Sequence, residues 1–320
     1  MRAIVCTEHG PPEVVRLLDR PSPSPAPGEV RVRVAAAAVN YPDILMIADR
    51  YQISVPAPFV PGSECAGFID EINDSTSDFA VGERVSATVM FGAFAEEVVV
   101  PAASLSRIPD VVDTRSAAAF GVAHRTAYHA LRSVARVQPG DDVIVLGAGG
   151  GVGLAAVQLG SKLGASVTAV ASTDQKLDAA VAFGARHRIN HRSGDFREHL
   201  RDRLPDGADA VIDPVGGELS EPALRALHRG GRFVTVGYAS GSIPRIPLNL
   251  VLVKGLQILG FQFQDIPAAE FERNEHELRE LVASGGVRPY IGATFSLEET
   301  AKALRLVADG RAVGKVVIEI

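Results

Sequence analysis

The sequence has no tryptophan, only two cysteines and three methionines in 320 residues, and little net charge, −6. Cys6 and Cys65 alone exclude a disulfide framework and a four-cysteine zinc site. The mildly acidic balance gives no general attraction to nucleic acid or to an anionic membrane surface, so neither is expected as a partner. Long apolar runs are also missing. The greasiest stretch, residues 246–263, is broken by Pro247, Asn249, Lys254, Gly255 and Gln257, and never reaches the roughly 18 apolar residues of a membrane span. The first residues lack the apolar core and small-residue cleavage site of a secretory signal. Free thiols and a cytoplasmic location are the expectation.

The first 110 residues are poor in glycine, with 6 of the 31, but hold 12 of the 20 prolines. Short β-rich runs at 30–34, 65–72, 84–89 and 95–100 are separated by turn clusters such as residues 21–28. This pattern predicts an irregular, mostly β, barrel-like domain. From about residue 116 the texture changes. Residues 116–135 have helical apolar spacing and end at Pro139-Gly140. Strands are predicted at 142–146, 166–171, 210–213 and 232–236, with helices at 152–163, 174–183 and 221–227 between them. Apolar strands joined by helices imply a parallel sheet buried on both faces. Residues 270–284 and 297–309 read as surface helices, 315–320 as a strand, and 251–263 as a strand-like run.

The most informative segment is residues 143–158. A short apolar strand runs into Gly147-Ala148-Gly149-Gly150-Gly151-Val152-Gly153 and then into an amphipathic helix. Glycines let backbone N–H groups approach a pyrophosphate, and the helix N-terminus offers that anion free donors. Gly147, Gly150, Gly151, Val152 and Gly153 are therefore candidate cofactor contacts. About 20 residues on, where an NAD-binding chain carries an acid for the ribose 2′-hydroxyl, this chain has Ser172. A small hydroxyl leaves room for a 2′-phosphate, and Lys176 offers a cation one helical turn later, which favours NADPH. Two other readings stand beside it: Lys176 as a solvated helix lysine, and Asp174 either as a helix N-cap or, with the register shifted by two, as the NAD-type acid.

In order along the chain, Ala37-Ala38-Val39-Asn40-Tyr41-Pro42-Asp43, Tyr51, Pro61-Gly62-Ser63-Glu64-Cys65-Ala66-Gly67, Gly82-Glu83-Arg84-Val85, the glycine turn, Ile189-Asn190-His191-Arg192, Gly230-Gly231-Arg232 and Gly314-Lys315-Val316-Val317 resemble the zinc-independent quinone oxidoreductase branch of the medium-chain dehydrogenase/reductase superfamily. The resemblance covers essentially the whole length. It implies a GroES-like catalytic domain at 1–119 and 264–320, and a Rossmann doubly wound parallel-sheet domain at 120–263, with the cofactor in the cleft. Zinc-dependent relatives carry a cysteine where this chain has Asn40, a histidine where it has Ser63 and a second cysteine near Val122, so no metal site is expected from these positions. Glu64 then reads as a structural carboxylate.

The resemblance also implies site residues. Asn40 matches a residue near nicotinamide and substrate; a satisfied turn asparagine is the alternative. Tyr51 matches a pocket tyrosine that stacks or donates a proton, against simple packing. Asp43 orients its neighbours or caps the helix after Pro42. Thr126 and His191 match cofactor-contact positions, against an interior helix threonine and a loop histidine. Gly237, Tyr238, Phe261 and Phe263 follow strand ends where the nicotinamide end of the cofactor belongs, with core or dimer packing an equal reading for the phenylalanines. Lys315 completes the implied cofactor contacts. Relatives commonly dimerise by pairing edge strands, which hides a sticky edge, so a homodimer is expected. Without a Lewis acid, easily reduced acceptors fit best: quinones, and alkenes conjugated to a carbonyl. The expected function is an NADPH:quinone oxidoreductase; an NADPH-dependent 2-alkene or enoyl reductase, and an NADPH-binding protein without turnover, are the alternatives.

Overall fold

The computed structural model describes residues 1–73 and 78–320. The chain forms two compact units, residues 1–122 with 282–320, and residues 123–281.

The first unit is built on a seven-stranded sheet. Its order is Ile291–Ser296, Lys315–Glu319, Glu29–Val39, Glu64–Asn73, Arg84–Thr88 and Leu105–Arg107, with Glu97–Pro101 also paired to Glu29–Val39. The long strand Glu29–Val39 shows how sequence sets burial. Val30, Val32 and Val34 alternate with Arg31 and Arg33, so one face joins the core. It then runs into Ala36, Ala37, Ala38 and Val39, which are buried on both faces. Ala36 and Ala38 pack with Ala66, Ala117 and Ala118, the last two on the helix Thr114–Ala118. Small side chains let that helix sit close to the sheet. Gly67 is needed in the same layer, because a Cβ there would overlap the Arg33 carbonyl oxygen. The strand Lys315–Glu319 lies antiparallel to Glu29–Val39 with Val316 opposite Val39, so the last strand delivers Lys315 beside Asn40.

The second unit is a six-stranded, all-parallel sheet in the order His187–Asn190, Ser166–Ala171, Asp142–Leu146, Ala208–Asp213, Leu227–Thr235, Gln257–Gly260. Numbered by sequence within this unit, that order is 3-2-1-4-5-6, the doubly wound arrangement with a topological switch between the first and fourth strands. Ile144, Leu146, Val170, Val211 and Phe233 fill its core; full burial of each such side chain contributes about 1.5–3 kcal/mol.

Several expectations need correction. The run 251–263 is not one strand. A helix, Leu248–Lys254, is stopped by Gly255 in the left-handed conformation (φ 62°), and only Gln257–Gly260 is strand. Leucines and valines at helical spacing followed by a C-terminal glycine outweigh the β-propensity of the run. The segment 116–135 is not one helix either: Thr114–Ala118 ends before Phe120, Gly121–His129 follows, and Ala130–Val134 is a π-turn closed by the Ala135 N–H donating to the Ala130 carbonyl at 2.8 Å. His187–Asn190, Arg2–Cys6 and Val15–Asp19 are strands too short to show a period.

The helix Ala268–Ala283 is tied to the second unit by a polar cluster. Arg125 Nε donates to Glu275 at 2.9 Å, His129 Nε2 lies 2.9 Å from the same carboxylate, and Asn274 Nδ2 donates to Ser133 Oγ at 2.8 Å. This is why the second unit runs on to residue 281 and does not stop at 263. Among the described residues, no helix is long and apolar enough to cross a membrane.

Candidate functional site

Two constellations carry chemistry, one in each unit. In the parallel-sheet unit, the glycine turn leaves the first strand at the switch point. Gly147 has φ 61°, and a Cβ there would come within 2.6 Å of Val215 on the loop after the fourth strand. Gly153, one turn into the helix Gly151–Lys162, faces back onto the turn; a Cβ would overlap the Gly147 carbonyl oxygen and lie 2.8 Å from the Ala148 Cα. Gly149 lies under the side chain of Lys176, whose stem a Cβ would strike. Gly150 is the helix N-cap and leaves its Cβ position open apart from the Gly147 oxygen at 3.5 Å. Together they form a backbone cradle at a helix N-terminus, with Gly151 and Val152 in its first turn.

Ser172 directly follows the second strand, Ser166–Ala171. Thr173, not Asp174, is the helix N-cap: its Oγ1 accepts from the Lys176 N–H at 3.3 Å. Asp174 sits in the first helical turn and accepts from Asn190 Nδ2 at 3.3 Å. Lys176 and Arg192 are a pair of cations with the His191 imidazole beside them. Burial, then the Arg192 charge, pull the Lys176 ammonium below its ordinary pKa; His191 is lowered by burial first, then by Arg192 and Lys176. Such mutual repulsion is relieved by a bound anion. Arg192 is the member that sequence reading passed over, although it stands inside a quoted motif.

Asp213, at the tip of the fourth strand, was also missed. It is buried, and Oδ1 accepts from the N–H groups of Val215 and Gly216, both at 2.8 Å, while Oδ2 accepts from Ser220 Oγ at 2.6 Å. It fixes the loop that faces Gly147. Gly237 and Tyr238 follow the fifth strand, with Tyr238 exposed; Phe261 follows the sixth. Phe263 packs edge-on to His129, centroids 5.6 Å apart, with the Arg125 guanidinium 5.7 Å from its ring centre. Thr126 is buried on the helix Gly121–His129.

In the β unit, Asn40, Asp43, Ser63, Glu64 and Lys315 are all buried and share one hydrogen-bonded group. Lys315 Nζ donates to Asn40 Oδ1 at 2.6 Å, to Glu64 Oε1 at 2.7 Å and to the Val39 carbonyl at 3.1 Å. Asn40 Nδ2 donates to Glu64 Oε1 at 2.9 Å and to Ser63 Oγ at 3.2 Å. The other Glu64 oxygen accepts from the Val122 N–H at 2.8 Å. An ammonium has three donors, and all three of Lys315 are engaged here. The expected contact from this ammonium to the cofactor therefore has no donor left to make it. Asp43 both caps and orients: its Oδ2 accepts from the Asn40 N–H at 2.7 Å at the start of the helix Tyr41–Ile47. Burial pushes its carboxyl up to about 7, against the Asn40 N–H and the Lys315 charge. Tyr51 is half-buried and packs against the β core.

A domain model described as the alcohol dehydrogenase GroES-like domain matches residues 26–110, and one described as zinc-binding dehydrogenase matches residues 151–284. The chain is 34% identical over 327 residues to quinone oxidoreductase-like protein 2 of Mus musculus, covering 100% of this chain and 92% of the relative. The chain belongs to the quinone oxidoreductase branch of the medium-chain dehydrogenase/reductase superfamily. It is 30% identical over 322 residues to the quinone oxidoreductase of Homo sapiens, with 99% and 97% of the two chains covered. It matches the quinone oxidoreductase of Thermus thermophilus, solved also in complex with NADPH, at TM-score 0.87 and 33% identity over 100% of both chains. In this oxidoreductase the β unit is the GroES-like domain and the parallel-sheet unit the Rossmann domain.

Proposed function

We propose that this oxidoreductase binds NADPH and reduces a quinone without zinc. The observation that carries the reading is the glycine cradle at the switch point, with Ser172, Lys176 and Arg192 beside the next strand's tip. The Gly150–Val152 backbone and helix N-terminus hold the pyrophosphate. Ser172 leaves space for a 2′-phosphate, and Lys176 and Arg192 neutralise it, with His191 alongside as a hydrogen-bonding group. NADPH supplies the hydride equivalent when bound. Thr126, Gly237, Tyr238 and Phe261 remain contacts for the rest of the dinucleotide, whereas Phe263 is a packing residue of its own unit.

Zinc does not fit the donor set. Asn40 and Ser63 stand at the positions of the relatives' cysteine and histidine, and the Lys315 ammonium already neutralises Glu64. Asn40 is arranged to accept: Nδ2 faces Glu64 Oε1, Ser63 Oγ and the Ala38 carbonyl at 2.9, 3.2 and 3.3 Å, and Oδ1 faces the Lys315 ammonium with a second lone pair to spare. Tyr51, whose hydroxyl has no hydrogen-bond partner among the described residues, is the candidate donor to the reduced acceptor's oxygen.

Stopped-flow or steady-state oxidation of NADPH and NADH against 1,4-benzoquinone, 9,10-phenanthrenequinone and a small enone tests the reading. Quinone-dependent NADPH turnover is the expected result. Turnover of the enone alone assigns the chain to alkene reduction, and dinucleotide binding without any turnover to a binding role. Lys176→Ala is expected to weaken NADPH binding about 10–150-fold, the loss of a charged hydrogen bond, and to spare NADH. Equal effects on both cofactors make Lys176 a surface lysine.

A homodimer through the Rossmann edge is part of the proposal. Among the described residues Gln257–Gly260 pairs on one side only, and Leu248, Leu252, Val253 and Ile258 are exposed along the same segment. Light scattering is expected to give a dimer, and Ile258→Lys with Leu252→Glu a monomer; an unchanged mass places the interface elsewhere.

A further inference from the structure

We infer that Asp213 is a positioning residue: it fixes the loop 214–217 as the second lip of the Rossmann crevice, so that a ligand crossing both lips needs it and a ligand held at the Ser172 end does not. The loops after the first and fourth strands face each other across the switch point, where doubly wound sheets take dinucleotides. The first lip is the glycine turn. The second is organised by one buried carboxylate. Asp213 Oδ1 accepts from the Val215 and Gly216 N–H groups, both at 2.8 Å, and Oδ2 accepts from Ser220 Oγ at 2.6 Å, at the start of the helix Ser220–Arg225. All three donors are neutral. Burying a carboxylate among neutral donors costs free energy, and here it holds a short loop and the next helix to a single strand tip.

The main chain closes the same loop from the other side. The Asp213 carbonyl accepts from the Val236 N–H at 2.8 Å, the Pro214 carbonyl from the Ala239 N–H at 3.1 Å and the Val215 carbonyl from the Ser240 N–H at 2.9 Å; the Gly217 N–H donates to the Ser242 carbonyl at 2.9 Å. The loops after the fourth and fifth strands are thus zipped together beyond the sheet. Gly216 and Gly217 stand at φ 70° and 64°, and a Cβ on Gly216 would lie 2.8 Å from the Ser242 carbonyl oxygen, so the zipper closes only over glycine. The N–H groups of Val215, Gly216 and Gly217 are all engaged inside the fold, and a proline has none. The lip therefore offers a ligand no backbone donor. It offers Val215, half-buried, whose Cγ2 lies 2.6 Å from where a Cβ on Gly147 would stand. The two lips are unlike: free N–H groups at the helix N-terminus, an apolar edge opposite. Resting on the NADPH reading, the adenosine 2′-phosphate belongs with Ser172 and Lys176 on the first lip's side, and only the rest of the dinucleotide meets Val215.

The probes are NADP+ and adenosine 2′,5′-bisphosphate, which keeps the adenosine 2′-phosphate and lacks the nicotinamide half. Dissociation constants are measured by calorimetry on the wild-type protein, Asp213→Ala, Asp213→Asn and Val215→Ala. Asp213→Ala is expected to bind NADP+ about tenfold more weakly, one hydrogen bond's worth of contact, and the bisphosphate within about twofold of the wild type. Equal weakening of both probes, or a lower melting temperature with neither probe affected, overturns the inference and leaves Asp213 a structural carboxylate. Asp213→Asn keeps the size and an acceptor oxygen for the two N–H groups, so its NADP+ affinity must stay within about threefold of the wild type. A folded asparagine variant that loses NADP+ as the alanine variant does also overturns it, since charge and not loop position would then decide. Should Asp213→Ala not fold, Val215→Ala carries the split, because it trims only the side chain on the lip. NADP+ alone is then expected to bind more weakly, and unchanged or equally weakened binding of both probes defeats the assignment. Wild-type protein that binds neither probe overturns the NADPH reading itself.

Discussion

Gly153→Ala is expected to destabilise the Rossmann domain by at least about 3 kcal/mol, the upper end of the range for overpacking, and to abolish dinucleotide binding. The added Cβ would overlap the Gly147 carbonyl oxygen and lie 2.7 Å from its carbon and 2.8 Å from the Ala148 Cα. All three are backbone atoms, so no rotamer change relieves the contact; the helix must move away from the turn. That movement carries the N–H groups of Gly151 and Val152 out of the cradle. Gly150→Ala is the control. Its Cβ finds only the Gly147 oxygen, at 3.5 Å, and its φ of −91° suits any residue. It should lose no more than about 1 kcal/mol, the cost of alanine at a helix N-cap. Urea unfolding of both variants checks the pair, and a Gly153→Ala protein with the wild-type midpoint would show that helix and turn are not in contact as described.

Lys315→Met alone is expected to cost about 3–5 kcal/mol, because it leaves the Glu64 carboxylate buried without its cation. Glu64 is 1% exposed, and its remaining partners, Asn40 Nδ2 and the Val122 N–H, are neutral donors. Adding Glu64→Gln should restore most of the loss, since a pair replaced on both sides leaves no uncompensated charge. The measurement is a double-mutant cycle in denaturant. Two single variants whose effects simply add would mean that Lys315 and Glu64 do not interact.

Legibility varied with how local the signal was. The glycine turn was readable because strand, turn and helix are contiguous and Gly153 answers to Gly147 six residues back, whereas the contacts of Gly147 with Val215 and of Gly149 with Lys176 were not. Ser172 could be counted from Gly153. Its meaning next to Asp174 could not, because one residue decides whether a carboxylate stands at the strand tip or in the first helical turn; the Thr173 cap decided it. The Leu248–Gly260 segment misled because its leucines and valines suit either a helix or a strand, and Gly255 was weighed as an interruption, not as a helix stop.

Lys315 shows the other limit. In sequence it lies 251 and 275 residues from Glu64 and Asn40, and a lysine in a glycine-lysine-valine motif carries no sign of how many of its protons are already engaged. Arg192 was passed over because its neighbour Lys176 belongs to a separate turn, whereas Asp213 was missed although its partners Val215, Gly216 and Ser220 are close in sequence.

By itself the sequence determined the family, the alternation of strands and helices, the place of the glycine turn and the absence of thiolate and imidazole at Asn40, Ser63 and Val122. Each depends on residue type and local spacing. Only the tertiary structure decided that the Lys315 ammonium lies on Glu64, that Asn40 Oδ1 faces the same ammonium, and that the helix Ala268–Ala283 is bound to the Rossmann domain. These follow from strand register and from packing between distant segments, where hydrogen-bond partners are chosen by proximity in space.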